Sequence, residues 1–131
     1  MSVFVDTSFW CALLNRRDSN HEAAMAADAA LREPRVTTSY VVAETSNLLM
    51  ARGRPDTARQ YLRRTLLPGS CYVVHPTRAA YDLALSMVLH YGDKNFGLTD
   101  ALSFVVMSET GIQDAMTFDA HFRQMGFRMI P

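Results

Sequence analysis

The sequence predicts a three-layer α/β/α sandwich with a central parallel sheet. Short apolar runs such as Val3-Phe4-Val5 and Tyr72-Val73-Val74 alternate with helix-period segments, the pattern that produces a parallel sheet covered on both faces. Repeats, low-complexity runs and Pro/Gly/Ser-rich linkers are absent, so residues 1–131 read as one domain, long enough to bury most of its apolar surface.

Taken in order, Val3-Phe4-Val5 predicts a buried strand, after which Thr7-Ser8 can cap a helix reaching Leu14. An Ala-rich helix follows over 19–32, with Ser19 or Asn20 as its cap and Pro34 beyond its end. Arg35 to Thr38 forms the second strand. A helix from Ser39 to Ala51 stops at Gly53, and the next begins near Pro55-Asp56 and ends before Pro68-Gly69. This last helix sets Ala58, Tyr61, Leu62 and Leu66 against Arg59, Arg63 and Arg64 on the other face.

Tyr72 to Val74 is the third strand, and residues 77–90 carry Ala80, Leu83, Ala84, Met87 and Val88 at helical spacing. Gly92 to Gly97 is a loop. Residues 99–110 are apolar on nearly every face after the first turn, as in a buried central helix. A strand from Gln113 to Thr117, a short helix over 119–125 and a strand from Phe127 to Met129 complete the chain.

Composition limits function. With 49% hydrophobic and 20% charged residues the chain is globular, and no stretch approaches the ~20 apolar residues of a membrane span. The N-terminus lacks the basic region of a secretory signal, and Cys11 and Cys71 form neither a metal motif nor a disulfide framework. Both cysteines are expected as small buried hydrophobes in a cytoplasmic protein. Thirteen basic residues balance thirteen acidic ones, so any attraction to a polyanion must be local. Twelve of the basic residues are Arg, whose planar fork suits phosphate, and the other is Lys94.

Four acids stand at or just beyond expected strand ends: Asp6, Glu44, Asp100 and Asp119. The carboxyl ends of parallel strands share one rim, where such folds bind ligands. Carboxylates converging there repel unless cations neutralise them, which points to a divalent-metal site. Each acid also has a structural reading. Asp6, Asp100 and Asp119 sit where aspartate caps helices, and Asp93 in its Gly-flanked loop reads as a turn residue. Three details favour a site: Glu44 lies in an apolar stretch, Asp100 opens the most hydrophobic helix, and Asp6 ends a central strand. Charges in such dry places fit a hard cation with oxygen ligands, Mg²⁺ or Mn²⁺. Thr7, Ser8, Thr99, Ser103 and Thr117 carry hydroxyls near the acids and either orient them or cap helices. Asp18, Asp28, Asp56, Asp82, Asp114, Glu22, Glu33 and Glu109 read as solvated surface charges. His21, His75, His90 and His121 show no ligand spacing, and no phosphate-binding loop or nucleophile elbow is present.

Four segments resemble the PIN-domain family, and in particular the small VapC-like toxins of bacterial toxin–antitoxin pairs. They are Phe4-Val5-Asp6-Thr7-Ser8, Val42-Ala43-Glu44, Leu98-Thr99-Asp100-Ala101 and Thr117-Phe118-Asp119-Ala120-His121-Phe122. Their order and spacing span nearly the whole chain. The resemblance implies a Mg²⁺- or Mn²⁺-dependent endoribonuclease with Asp6, Glu44, Asp100 and Asp119 as its acidic quartet, Thr7, Ser8 and Thr117 as supports, and 5′-phosphate and 3′-hydroxyl products. It also implies a homodimer and a cognate antitoxin whose segment lies in an apolar groove, for which Phe9, Trp10, Leu13 and Leu14 with the 39–67 helix pair are candidates; plain core packing is the alternative, preferred for Phe9 and left open for Trp10. Arg16, Arg17, Arg52, Arg54 and Lys94 are candidates for RNA phosphate contacts. A non-catalytic RNA-binding or scaffold module, and a receiver-type signalling domain, are the competing readings. The second lacks the expected lysine near the last strand, where Phe127 and Arg128 stand.

Overall fold

A computed structural model describes residues 1–131. Its elements are β1 (Val3–Val5), α1 (Thr7–Leu14), α2 (His21–Ala30), β2 (Arg35–Thr38), α3 (Ser39–Ala51), α4 (Pro55–Thr65), β3 (Tyr72–Val74), α5 (Arg78–His90), α6 (Leu98–Thr110), β4 (Asp114–Met116), α7 (His121–Gln124) and β5 (Arg128–Ile130). The five strands form one parallel sheet in the order β3-β2-β1-β4-β5, within the expected three-layer α/β/α sandwich.

The strand order decides where the site lies. From β1 the chain builds outward to β3, then returns to lay β4 against the other side of β1, pairing Phe4 with Ala115 and Val5 with Met116. Strand order therefore reverses beside β1, and a crevice opens at the carboxyl ends of β1 and β4. Asp6 leaves β1 at that point and Thr117 leaves β4 there.

Packing holds this edge firmly. Phe4, Phe9, Phe104 and Phe122 are at most 2% exposed. The rings of Phe104 and Phe122 meet edge-on at 4.9 Å, and Phe104 stacks with Phe127 at 5.9 Å. This cluster joins α6 and the short α7 to the sheet, which explains how a four-residue helix is held in place. The expectation that 99–110 is a buried central helix is met: Ala101 to Met107 are all buried.

Some boundaries and burial classes differ from expectation. Neither Ser19 nor Asn20 caps α2 through its side chain. Asp18 forms a local turn instead, its Oδ1 accepting from Asn20 N–H at 2.8 Å and its carbonyl from His21 N–H at 3.0 Å, so α2 starts two residues late. The same competition shortens α7, because Asp119 Oδ1 accepts from His121 N–H at 2.9 Å. The last strand begins at Arg128, since Phe127 is turned into the aromatic cluster after Gly126, whose φ of 94° ends α7. Cys11 is buried as expected, but Cys71 is only half-buried because β3 is an edge strand, with Tyr72 at 70% exposure. Asp28 and Asp114 are ion-paired rather than merely solvated: Asp28 meets Arg35 at 2.7 Å, and Asp114 Oδ1 accepts from Arg128 Nε at 2.8 Å.

Truncating the ring at the centre of the aromatic cluster leaves a cavity that helices on several sides cannot fill by collapsing. Phe104→Ala is expected to destabilise the protein by about 3–5 kcal/mol, read as a lowered urea midpoint at unchanged slope.

Candidate active site

Asp6 is the N-cap of α1, with extended backbone angles (φ −91°, ψ 161°), and it is 2% exposed. Its two oxygens differ completely. Oδ2 accepts from Ser8 Oγ–H at 2.7 Å, Thr117 Oγ1–H at 2.9 Å and Ser8 N–H at 3.3 Å, whereas the buried Oδ1 has no hydrogen-bond partner.

The surrounding hydroxyls leave no freedom in this pattern. Ser8 Oγ accepts from Phe118 N–H at 3.0 Å, and Thr117 Oγ1 accepts from Asp119 N–H at 3.0 Å. Each hydroxyl thus spends its acceptor on β4's exit loop and its single proton on Asp6. The 3.1 Å approach of the two hydroxyls to each other is therefore a contact between two donors aimed elsewhere. Ser8 and Thr117 orient Asp6 as the sequence suggested, while Thr7 Oγ1 is buried without a partner and Ser103 Oγ bonds back to the Thr99 carbonyl at 3.0 Å.

Asp119 follows two residues after Thr117 in the same loop and is half-buried. His121 Nδ1 lies 2.8 Å from Asp119 Oδ1, although it is not aligned as a hydrogen-bond donor. Asp100 stands in the first turn of α6, and Glu44 stands one turn into α3, both half-buried. Neither forms an ion pair. Glu44 is thus at the edge of the crevice rather than in the dry interior expected from its apolar neighbours, because Ala43 beside it faces solvent.

These four carboxylates and the side chain of Asp18 line one open cleft of about 350 Å³. Electrostatics report the convergence independently. Burial pushes the Asp100 carboxyl up to about 7, and the neighbouring charges of Asp6, Asp119 and Glu44 push in the same direction. Burial also raises Asp6, against the lowering effect of its hydrogen bonds from Ser8 and Thr117. Asp18 was read as a surface charge and is the acid that sequence reasoning missed. The usable signal was its place in the loop after α1, at the same rim as Asp6. A wider depression of about 740 Å³ lies at the opposite, amino-terminal rim beside Met1, Gln113 and Arg128, and holds no comparable chemistry.

The donor set fits a hard divalent cation. It consists of carboxylate oxygens; Cys11 also lines the cleft, but burial raises its thiol and so disfavours the thiolate, and the buried, unpartnered Oδ1 of Asp6 is the kind of atom a hard ion satisfies. No three acidic, histidine or cysteine side chains stand close enough to form a closed ligand cage by themselves. Mg²⁺ and Mn²⁺ retain several waters and need few direct protein ligands.

The other candidates divide. Asp93 is exposed and paired with Lys94 at 3.3 Å, so neither enters the cleft, whereas Arg52 lines it. Phe9 and Trp10 are fully interior, with the Trp10 ring 5.2 Å from that of Tyr61 and under the Arg64 guanidinium at 5.4 Å. Both pack the core, as the plainer reading of Phe9 expects, and Trp10 is likewise kept out of a surface groove.

The chain is similar to known proteins along nearly its whole length. The family model described as PIN domain matches residues 3–128. The 23S rRNA-specific endonuclease VapC20 of Mycobacterium tuberculosis is 34% identical over 127 residues, covering 95% of both chains. The crystal structure of that protein, described as a sarcin-ricin loop cleaving toxin, superposes with a TM-score of 0.91 at 33% identity over 95% of each chain. A toxin–antitoxin complex from Klebsiella pneumoniae shares the fold at 13% identity, with a TM-score of 0.64 over 90% of this chain and 87% of that one.

Crowding of like charge has a thermodynamic signature. The folded protein holds the Asp100 proton more tightly than the unfolded chain, whose value is 3.8, so ionisation opposes folding as pH rises from about 4 to about 7. With EDTA present, Asp100→Asn is therefore expected to melt several degrees above the wild type at pH 8, with the gap closing towards pH 4. Adding Mn²⁺ should raise the wild-type midpoint and leave that of the variant nearly unchanged, measured by thermal denaturation.

Proposed function

This chain belongs to the PIN-domain family, and on that premise we propose that it is a Mg²⁺- or Mn²⁺-dependent endoribonuclease, the toxin of a toxin–antitoxin pair. The observation that carries the proposal is the convergence of four carboxylates on the crevice beside β1, with one buried oxygen of Asp6 unpartnered. Residues 1–131 act as one catalytic unit in this reading. Asp6, Glu44, Asp100 and Asp119 are its metal ligands and catalytic residues.

When bound there, a divalent cation supplies Lewis acidity, activating water at neutral pH and offsetting the charge of the scissile phosphate. The chain's own residues do the positioning. Ser8 and Thr117 fix Asp6 through Oδ2, which leaves the buried Oδ1 without a hydrogen-bond partner. The helix start at Leu98 sets Asp100 opposite, and α3 brings Glu44 to the open side where substrate enters. The Ser8 hydroxyl that meets Asp6 is engaged on both sides, donating to the carboxylate and accepting from Phe118 N–H, so this reading takes water as the attacking group. The expected products carry 5′-phosphate and 3′-hydroxyl ends.

The similarity to VapC20, a 23S rRNA-specific endonuclease, directs the choice of substrate. We take structured ribosomal RNA, with 23S rRNA and its sarcin–ricin loop as the first RNA to test. A non-catalytic RNA-binding module would leave Asp100 and the Asp6 network without a task. The partner in this reading is an antitoxin that closes the acidic cleft with a basic side chain; a toxin–antitoxin complex leaving the cleft open would overturn that detail. The chain acts in the cytoplasm, as a homodimer joined through α5, where Leu83 and Leu89 are 56% and 77% exposed. Light scattering giving the monomer mass of 14.7 kDa would remove the dimer.

The deciding experiment is cleavage of 23S rRNA by purified protein in Mn²⁺ or Mg²⁺. EDTA and Asp100→Asn are each expected to reduce cutting to background. Ser8→Ala and Thr117→Val are expected to lose about 10- to 100-fold in rate with little change in fold, because they orient a ligand rather than supply one. Equal cutting by wild type and Asp100→Asn would overturn the proposal.

A further inference from the structure

The acidic cleft is the middle of a longer surface feature. Glu44 and Leu48 line both the cleft and a depression that contains Tyr40, Asn47 and Thr99. Arg52 lines both the cleft and a trough on its other side that contains Arg16, Arg17 and Arg54. Tyr40, Glu44, Leu48 and Arg52 are spaced four residues apart along α3 and its C-cap, so they form a single row about 18 Å long.

The two ends of this row differ in chemistry. At one end the half-exposed Tyr40 ring stands beside Tyr81, centroids 6.2 Å apart, and presents an aromatic face next to the acids. At the other end, none of Arg16, Arg17, Arg52 and Arg54 is within ion-pair distance of a carboxylate, whereas Arg35, Arg59, Arg64, Arg128 and Lys94 all are. Arg54 is also oriented. Its Nη1 donates to Asn15 Oδ1 at 2.7 Å, and the same oxygen accepts from Arg17 N–H at 3.1 Å, so the residue that ends α1 ties the two arginine-bearing turns together. A pre-set guanidinium with no counter-charge is suited to a phosphate.

We propose that single-stranded RNA lies along this row of α3, with one base stacked on Tyr40, the scissile phosphate at Glu44 and the continuing backbone on Arg52 and Arg54. The proposal rests on the nuclease reading for the middle position only. Tyr40 is then a specificity-determining residue and Asn15 a positioning residue that acts through Arg54. Lys94, occupied by Asp93 and lying 5.7 Å from the Tyr91 ring, takes no part.

The test is binding of a short fluorescent single-stranded RNA, followed by anisotropy across a salt series in EDTA, where metal-dependent cutting cannot consume the probe. Arg52→Gln and Arg54→Gln are each expected to weaken binding several-fold and to reduce the slope of log affinity against log salt by about 0.7, one single-strand phosphate contact. Tyr40→Ala is expected to weaken binding by about 5- to 100-fold with the slope unchanged, and Tyr40→Phe to restore it, since the ring rather than the hydroxyl does the stacking. Asn15→Ala should reproduce part of the Arg54→Gln loss, and Lys94→Gln should change nothing. Melting temperatures check that each variant is folded.

Unchanged affinity and slope in the Arg52, Arg54 and Tyr40 variants would overturn the proposal. Failure of the nuclease reading looks different: the wild type would not cut RNA in Mn²⁺, yet the same pattern of binding losses would remain.

Discussion

The Asp6 carboxylate is the interaction on which this structure depends. It joins elements that are remote in sequence: α1 through Ser8, and the loop after β4 through Thr117, a separation of 111 residues. Both hydroxyls are themselves tethered by backbone N–H groups of the β4 exit loop, so the network closes on itself without a spare donor. A buried charge is tolerable only with such compensation. The network meets the needs of one oxygen and leaves the other buried without a partner, so one set of bonds ties the fold together and sets the two oxygens apart.

This economy exists beside a deliberate imbalance. The raised Asp100 carboxyl and the unpaired Glu44 show that the fold assembles like charges where neutral groups would pack with less strain. The aromatic cluster of Phe4, Phe104, Phe122 and Phe127 packs α6 and α7 against the sheet, and the stability it contributes offsets that repulsion.

Much of this was legible in the sequence because periodicity and strand-end chemistry are local signals. The parallel sheet, the buried α6 and the four acids at one rim were readable from short windows such as Leu98-Thr99-Asp100. What escaped depends on tertiary placement. The half-exposed setting of Glu44 follows from which face of α3 meets α6, not from its apolar neighbours in sequence. Asp18 became part of the cleft because a local turn folds it back under α1, and Trp10 became core because α4 brings Tyr61 and Arg64 over it. The solvent-facing row of α3 was hidden for a similar reason: a spacing of four is a weak signal until the partners on either side are known.

The pairing of β1 with β4 also has a consequence for synthesis. A chain emerging from the ribosome exposes Asp6 well before Thr117, Asp119 and the strand that closes the crevice, since Asp6 and Thr117 are 111 residues apart. Domains acquire structure progressively as they are made, but this centre waits for both segments. A centre that needs both Asp6 and Thr117 is therefore incomplete while the intervening chain is being made, by topology alone.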